Sequence, residues 1–320
     1  MHKTAKYLYI IGGCALAAER EPIRQIERIH VEKAGDSVNV ISENCGQLTI
    51  ARRSPACFLA GNQRILVAGG CSAPNEHTDS MEMLEISEIG EIRSIFLDEK
   101  LEIGASCSGF DWDTHSSEKP IFGGFEAHSC LDDVQVLNNS GTMWKCRKLA
   151  KKSPKIKNST ILEVKNGEFL MFGGWEDEQR TSKAIRRITF NEDFTDYSCD
   201  FAGFLSYPVE GHTCIQIDSS VFLIGGFDGC FVLDSIIKYD LKTGKSEVLD
   251  TKLRGKRENH VACVLGDTWL VVAGGWNSRQ ALDDVEVFEI RKIGGKIELA
   301  PCQVAGKLNF ARNRPSAVVI

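Results

Sequence analysis

Residues of the kinds that catalyse reactions or bind metals are few and scattered along the sequence. The seven histidines stand at positions 2, 30, 77, 115, 128, 212 and 260, without the paired spacing that metal sites use. The G-x-S-x-G nucleophile elbow, the P-loop and the G-x-G-x-x-G fingerprint are all missing from the sequence. The sequence therefore predicts no catalytic residue, no metal and no cofactor, and we expect the chain not to be an enzyme.

Other polar groups have structural explanations. His212 and His260 stand at equivalent places in the segments EGHT and ENHV, which favours packing or hydrogen bonding over acid–base chemistry. The Asp pairs 132–133 and 283–284 each follow a leucine, and we interpret them as turn caps rather than as a catalytic pair of carboxylates.

Composition excludes several classes of partner. The 320 residues carry 38 Lys and Arg against 44 Asp and Glu, and this net charge of −6 disfavours nucleic-acid binding. No apolar stretch approaches the roughly 18–20 residues of a membrane helix, and the apolar run Tyr7–Ile11 is too short for a signal peptide. Twelve cysteines without a C-x-x-C motif indicate reduced thiols. We expect a cytoplasmic protein.

A repeated glycine pair marks the strands that would position a functional site. A short apolar segment ends in Gly-Gly six times, with successive pairs 49 to 57 residues apart. The pairs are 12–13, 69–70, 123–124, 173–174, 225–226 and 274–275. Apolar segments precede and follow each pair, with turn residues between them, which predicts several short strands in each repeat. Runs such as FLMF and WLVV are typical of strands that are buried on both faces.

The repeat resembles the kelch repeat, a unit of about 50 residues that forms one blade of a β-propeller. Tyr239 and Trp144 stand where that family has its Tyr and Trp after the glycines. The resemblance implies an all-β, six-bladed propeller of four-stranded antiparallel blades, with residues 1–320 as a single domain. The C-terminal ARNRPSAVVI looks like a first strand and the N-terminal KYLYIIGG like a second. We therefore expect the C-terminal strand to complete the N-terminal blade and close the ring.

One face of this ring is the predicted binding site. The loop after each glycine pair and the loop between blades should open on the same end, where kelch substrate adaptors bind peptides. Large aromatic residues follow four of the glycine pairs, and arginines precede three of the predicted first strands. Arg binds carboxylates in a bidentate manner, and aromatic rings are frequent interface anchors. The predicted partner-binding residues are Phe125, Trp175, Phe227, Trp276, Arg53, Arg257 and Arg314. Packing between the blades is the alternative role for the aromatic residues.

The basic run at 145–157 is expected near the same face, where it would attract an acidic partner. The leading hypothesis is a non-enzymatic module that binds a protein or peptide, similar to the kelch domain of BTB-kelch substrate adaptors of ubiquitin ligases. Such adaptors also carry a BTB, F-box or cullin-binding segment, so we expect a longer protein or another surface for recruitment. One alternative is a protein that binds actin or the cytoskeleton, and a second is a propeller enzyme such as a sugar epimerase.

Overall fold

The chain folds into β-strands throughout. The computed structural model describes residues 7–15, 21–114, 116–126, 128–139, 143–177 and 180–320, and these contain no helix. It follows that no helix of the described ranges could span a membrane. The N-terminal segment whose apolar run is too short for a signal peptide lies partly outside the described residues, at 1–6 and 16–20. The all-β fold class is confirmed.

Six main sheets follow one another along the chain, and four of them have four consecutive antiparallel strands. The strands of the second sheet are Ala56–Leu59, Arg64–Ala68, Ser80–Ile86 and Ile92–Lys100. Those of the fourth are Thr160–Lys165, Glu168–Phe172, Ala184–Phe190 and Tyr197–Phe204. Those of the fifth are Thr213–Ile217, Ser220–Ile224, Ser235–Asp240 and Lys245–Lys252. Those of the sixth are Val261–Leu265, Trp269–Ala273, Val285–Ile293 and Lys296–Pro301.

The first sheet joins the two ends of the chain. Its strands are, in order across the sheet, Gln303–Ala305, Ser37–Gln47, Gln25–Ala34, Leu8–Ile11 and Ser316–Val319. The C-terminal strand pairs antiparallel with the N-terminal one, with Leu8 opposite Val319, which is the pairing expected from the sequence. Gln303–Ala305 adds a fifth strand, parallel to Ser37–Gln47, that the repeat pattern did not predict.

The third sheet differs from the predicted four strands. It has three, Glu118–Phe122, Val134–Asn139 and Trp144–Lys148. Where the other repeats have a first strand, residues 105–110 make only isolated bridges, from Ser106 to Phe125 and from Gly109 to Phe122. The reason is local, because ASCSGF consists mainly of small residues with weak strand preference.

Short strands follow three of the glycine pairs, and two of these strands carry predicted binding residues, Phe125 and Trp175. Cys71–Ala73 pairs with Glu76–His77, and Phe125–Glu126 pairs with Ser129–Cys130. In the fourth repeat, Trp175–Glu176 lies between Ile156–Lys157 and Arg180–Thr181.

The hydrophobic core is divided among the gaps between neighbouring sheets. Phe222 and Ile224 of the fifth sheet, for example, pack with Leu270 and Val272 of the sixth. An equivalent cluster fills each other gap, including that between the first sheet and the sixth, where Leu8 packs with Val271. Burying such side chains contributes about 1.5–3 kcal/mol each, so every sheet is stabilised by its two neighbours.

The inner loops are joined by a cycle of backbone hydrogen bonds. One residue of each loop, with φ between 49° and 60°, accepts a bond from the next loop and donates to the one before, at 2.6–3.4 Å. The sixth bond returns to the start, since Ser54 N donates to Arg314 O. We call these the ring residues: Ser54, Cys107, Asn158, Gly211, Asn259 and Arg314.

The glycine pairs allow each sheet to approach its neighbour closely. Gly173 has a φ of 54°, and a Cβ there would lie against the carbonyl oxygen of Val209. The positive φ disfavours a side chain at this position, and the close contact excludes one. The repeated glycines thus have the structural role expected from the sequence.

Candidate binding site

Six residues, each directly preceding a ring residue, form the rim of one face. We call them the rim residues: Arg53, Ser106, Lys157, Glu210, Glu258 and Asn313. Each forms a backbone bridge with the residue that follows a glycine pair, so both predicted sets of loops meet on this face. The bridge partners are, in the same order, Cys71, Phe125, Trp175, Phe227, Trp276 and Cys14.

A cavity of about 300 Å³ opens among these residues, and we call it the rim pocket. Its lining includes four of the seven predicted binding residues, Arg53, Arg314, Phe125 and Trp276, all half-buried. These four come from four different repeats and meet only because the inner loops converge. The rim pocket is therefore the candidate site.

Two predicted aromatic residues lie beside the rim pocket rather than in its lining. The ring of Trp175 packs against Lys157, whose Nζ lies 4.4 Å from the ring centroid. Phe227 forms backbone bridges with Glu210 and Val232 and is half-buried. Trp175 thus supports a pocket residue.

Arg257 does not reach this face, and this corrects its predicted role. Its side chain is fully buried, and its Nη2 donates to Glu286 at 2.7 Å and to Asp284 at 2.6 Å. Arg52 and Arg312 occupy the same place in their repeats and pair with buried Glu82 and Glu27. Arg257 precedes the rim position by one residue, so its side chain points between sheets. Asp284 is likewise an ion-pair partner rather than only a turn cap.

Lys157 is a pocket residue that the site prediction missed, although it belongs to the basic run at 145–157. Much of that run pairs with carboxylates of the same chain, as Lys152 does with Asp133 at 2.5 Å. The Nζ of Lys157 instead lies 4.1 Å from the Phe125 ring and 4.4 Å from the Trp175 ring. Cation–π contacts of this kind hold the ammonium group in place without neutralising it.

Three cations thus meet at the rim pocket without a carboxylate partner. Among the described residues, no carboxylate oxygen lies within 4.0 Å of Arg53, Lys157 or Arg314. Arg53 donates to the Cys71 sulfur at 3.3 Å. Positive charge that is half-buried and unpaired is costly, and an anion entering the pocket would stabilise it.

Arg314 reaches across the ring of inner loops. Its Nη1 donates to Cys107 Sγ at 2.9 Å and to Asn158 Oδ1 at 3.1 Å. Burial alone would raise the pKa of the Cys107 thiol, but Arg314 and the hydroxyls of Ser54 and Ser106 lower it below its usual value. Arg314 thus stabilises the thiolate form of Cys107 in the lining of the rim pocket.

A second cavity of about 380 Å³, the shaft cavity, lies between the first strands of the sheets. It shares Cys107, Asn259 and Arg314 with the rim pocket, so the two cavities meet at the ring residues. His212 and His260 line it, and their Nε2 atoms contact the hydroxyls of Thr160 and Thr213 at 2.7 and 2.9 Å. Both histidines thus bridge neighbouring sheets, as their repeated position predicts.

Asp111 also lines the shaft cavity. Its carboxylate accepts backbone hydrogen bonds from Glu163 at 2.8 Å and Asp113 at 3.1 Å. Burial is the main cause that raises its pKa, to about 6, against these two bonds. The described residues contain no cluster of His, Cys, Asp and Glu that could hold a metal ion.

Comparison with known proteins supports the kelch interpretation of the repeat. Residues 208–251, which contain the glycine pair 225–226, match the Kelch motif. Among 422 matching chains of known structure is the one titled "Structure of YjhT". It superimposes with a TM-score of 0.63 at 13% identity, over 85% of this chain and 96% of that one. At this identity the likeness shows the fold alone. No curated protein matches the sequence.

The prediction that the chain is not an enzyme is wrong as an exclusion. The prediction was based on missing motifs that belong to other folds, and on the hypothesis that this repeat binds a protein or peptide. The chain shares its fold with YjhT, and one fold can carry catalysis as well as binding. The fold therefore gives no ground for excluding an activity.

Proposed function

We propose that the chain is a closed, six-bladed kelch propeller whose rim pocket binds an acidic segment of a protein or peptide partner. The six sheets are the blades, and residues 1–320 form one domain. The kelch resemblance favours a ubiquitin-ligase substrate as the partner, with actin as the alternative, and a cytoplasmic location. These assignments stay predictions.

The ring closure is supported by two independent cycles. One is the cycle of backbone hydrogen bonds through the ring residues. The other is the series of apolar clusters, which continues from the sixth sheet to the first. The pairing of Ser316–Val319 with Leu8–Ile11 fits the same arrangement, because it gives the first blade its innermost strand.

The proposed ligand class depends on one observation, the meeting of Arg53, Lys157 and Arg314 in one pocket without a carboxylate partner. The protein has a net charge of −6, so a general excess of positive charge does not explain it. Trp276 and Phe125 add apolar contact area beside the cations. Cations beside aromatic rings are a common composition of interface hot spots.

The test is a selection of random peptides by the full chain, followed by calorimetric titration of the selected peptides. We expect Asp and Glu to be enriched in them. Arg53→Ala combined with Lys157→Ala should weaken binding at least tenfold, as removal of anchor residues does. Arg93→Ala is the matched control, because it removes an exposed arginine from the outer strand Ile92–Lys100.

Melting temperature separates loss of the site from loss of the fold. Arg53 and Lys157 form no ion pair among the described residues, so their replacement should change stability little. Peptides without acidic residues, or unchanged affinity in the double variant with a normal melting temperature, would refute the proposal.

A further inference from the structure

We propose that the rim pocket has a second subsite, for a cationic group, so that the bound segment carries an acidic and a basic side chain together. The inference rests on the proposed function and deepens it. The acidic group of the segment would face Arg53, Lys157 and Arg314. A Lys or Arg side chain of the same segment would face Glu258.

The first argument is the arrangement of charge around the rim. At this single repeat position, the second and fourth sheets contribute Arg53 and Lys157, whereas the fifth and sixth contribute Glu210 and Glu258. The cations and the acids therefore occupy different arcs of the same rim. A ligand of uniform charge would be attracted by one arc and repelled by the other.

The second argument is that these opposite charges form no direct ion pairs with one another. Among the described residues, neither Glu210 nor Glu258 has a cationic group within 4.0 Å. Glu210 accepts from Asn158 Nδ2 at 2.8 Å and Thr181 Oγ1 at 3.3 Å, and Glu258 accepts from Asn259 Nδ2 at 3.0 Å. Neutral donors thus replace the counter-ions that a buried carboxylate such as Glu210 and a half-buried one such as Glu258 normally have.

Two further groups of the rim pocket fit a cation. Trp276 forms a backbone bridge with Glu258 and lines the same pocket, and aromatic rings bind ammonium and guanidinium groups. Asn313, the next rim residue, also lines the pocket, and its Oδ1 is buried without a hydrogen-bond partner in the described part of the chain. An acceptor of this kind requires a donor, which a Lys or Arg side chain supplies.

The electrostatics of Glu258 agree with this arrangement. Burial raises the pKa of its carboxyl, Arg314 opposes the rise, and Glu210 adds to it by repulsion. A cation placed between Glu258 and Trp276 would relieve that repulsion. A second acidic group placed there would increase it.

The experiment extends the peptide selection to a second protein, Glu258→Gln. With the unaltered protein, we expect Lys or Arg at a fixed distance from the acidic residue in the selected peptides. With Glu258→Gln, the acidic preference should remain and the basic preference should disappear. Glu298→Gln, on the exposed outer strand of the sixth sheet, is the matched control and should select the same peptides as the unaltered chain.

A change in the peptide keeps the test decisive if Glu258→Gln fails to fold. Replacing the basic residue of a selected peptide by norleucine should weaken its binding to the unaltered protein about tenfold. The same replacement should matter little with Glu258→Gln. Acidic peptides without a basic residue, or a norleucine peptide of unchanged affinity, would overturn this inference and leave the proposed function standing. Peptides without any acidic preference would refute the proposed function itself.

Discussion

The buried histidines make the free energy of unfolding depend on pH. His212 and His260 are each 3% exposed and contact a threonine hydroxyl of the neighbouring sheet. Burial lowers the pKa of His212 from 6.5 to about 3. Burial, with the charge of Arg257, lowers that of His260 well below 6.5. Both side chains are therefore neutral in the folded protein over the whole physiological range.

Stability should fall as the pH falls below about 6.5. In the unfolded chain the histidines take up protons near pH 6.5, whereas in the folded chain they stay neutral until a much lower pH. The stabilisation is full above the unfolded pKa and is lost as the pH falls towards the folded one. Each histidine contributes up to about 1.4 kcal/mol of unfolding free energy per pH unit. Urea unfolding at pH 7.5, 6.5 and 5.5 measures this slope.

His212→Gln should remove the contribution of one histidine from that slope while lowering stability at pH 7.5. His128→Gln, which changes an exposed histidine, is the matched control for the substitution itself. A slope that is unaffected by His212→Gln would contradict the assignment.

Whether the role of a single residue could be predicted depended on its exact position in the repeat. Arg53 and Arg314 were placed correctly at the mouth of the inner loops, but Arg257 was not. The sequence shows an arginine before each of three first strands, and one position decides whether it faces the pocket or the gap between sheets. In the structure Arg257 occupies the same position as Arg52 and Arg312, whose side chains lie between sheets. The carboxylate partners of these two arginines are 30 and 285 residues away in the sequence. Ion pairs so distant in sequence leave no local signal.

At the scale of elements, the glycine pair determines how closely two sheets approach. Gly173→Ala should destabilise the protein by at least about 2 kcal/mol, because it adds backbone strain at positive φ to a clash with Val209. Gly255→Ala is the matched control, since a Cβ there meets nothing nearer than 3.7 Å. Thermal and urea unfolding of both variants compare the two costs. Equal stability of the two would contradict the close approach.

The strands were predictable where apolar runs end in a glycine pair, and less so elsewhere. All six second strands were identified from that signature, and their buried positions match the apolar runs. The general prediction of four strands per sheet failed at 105–110, because this segment of small residues makes only isolated bridges. Gln303–Ala305 was missed because its partner, Ser37–Gln47, lies more than 250 residues earlier.

At the scale of the molecule, the two ends of the chain hold the first sheet together. Deleting residues 312–320 removes the strand Ser316–Val319 and uncovers the edge of Leu8–Ile11. It also removes Arg312, whose guanidinium lies 2.5 Å from Glu27, with both side chains fully buried. A buried carboxylate without its partner costs about 3–5 kcal/mol, and an open sheet edge favours aggregation. We expect loss of cooperative unfolding, measured by calorimetry and size-exclusion chromatography.

A circular permutant shows whether the pairing itself or an intact C-terminus is required. Tyr7 and Ile320 exchange two backbone hydrogen bonds of 3.0 Å, so a short linker can join these two residues. New termini in the exposed turn at 241–244 would leave every main sheet intact. This permutant should unfold cooperatively near the original melting temperature, because the first sheet keeps all its strands. A truncated chain that remains monomeric with an unchanged melting temperature would show that the ring does not depend on this pairing. A permutant that fails to fold, beside a truncated chain that also fails, would show that the connection at 241–244 is required as well as closure.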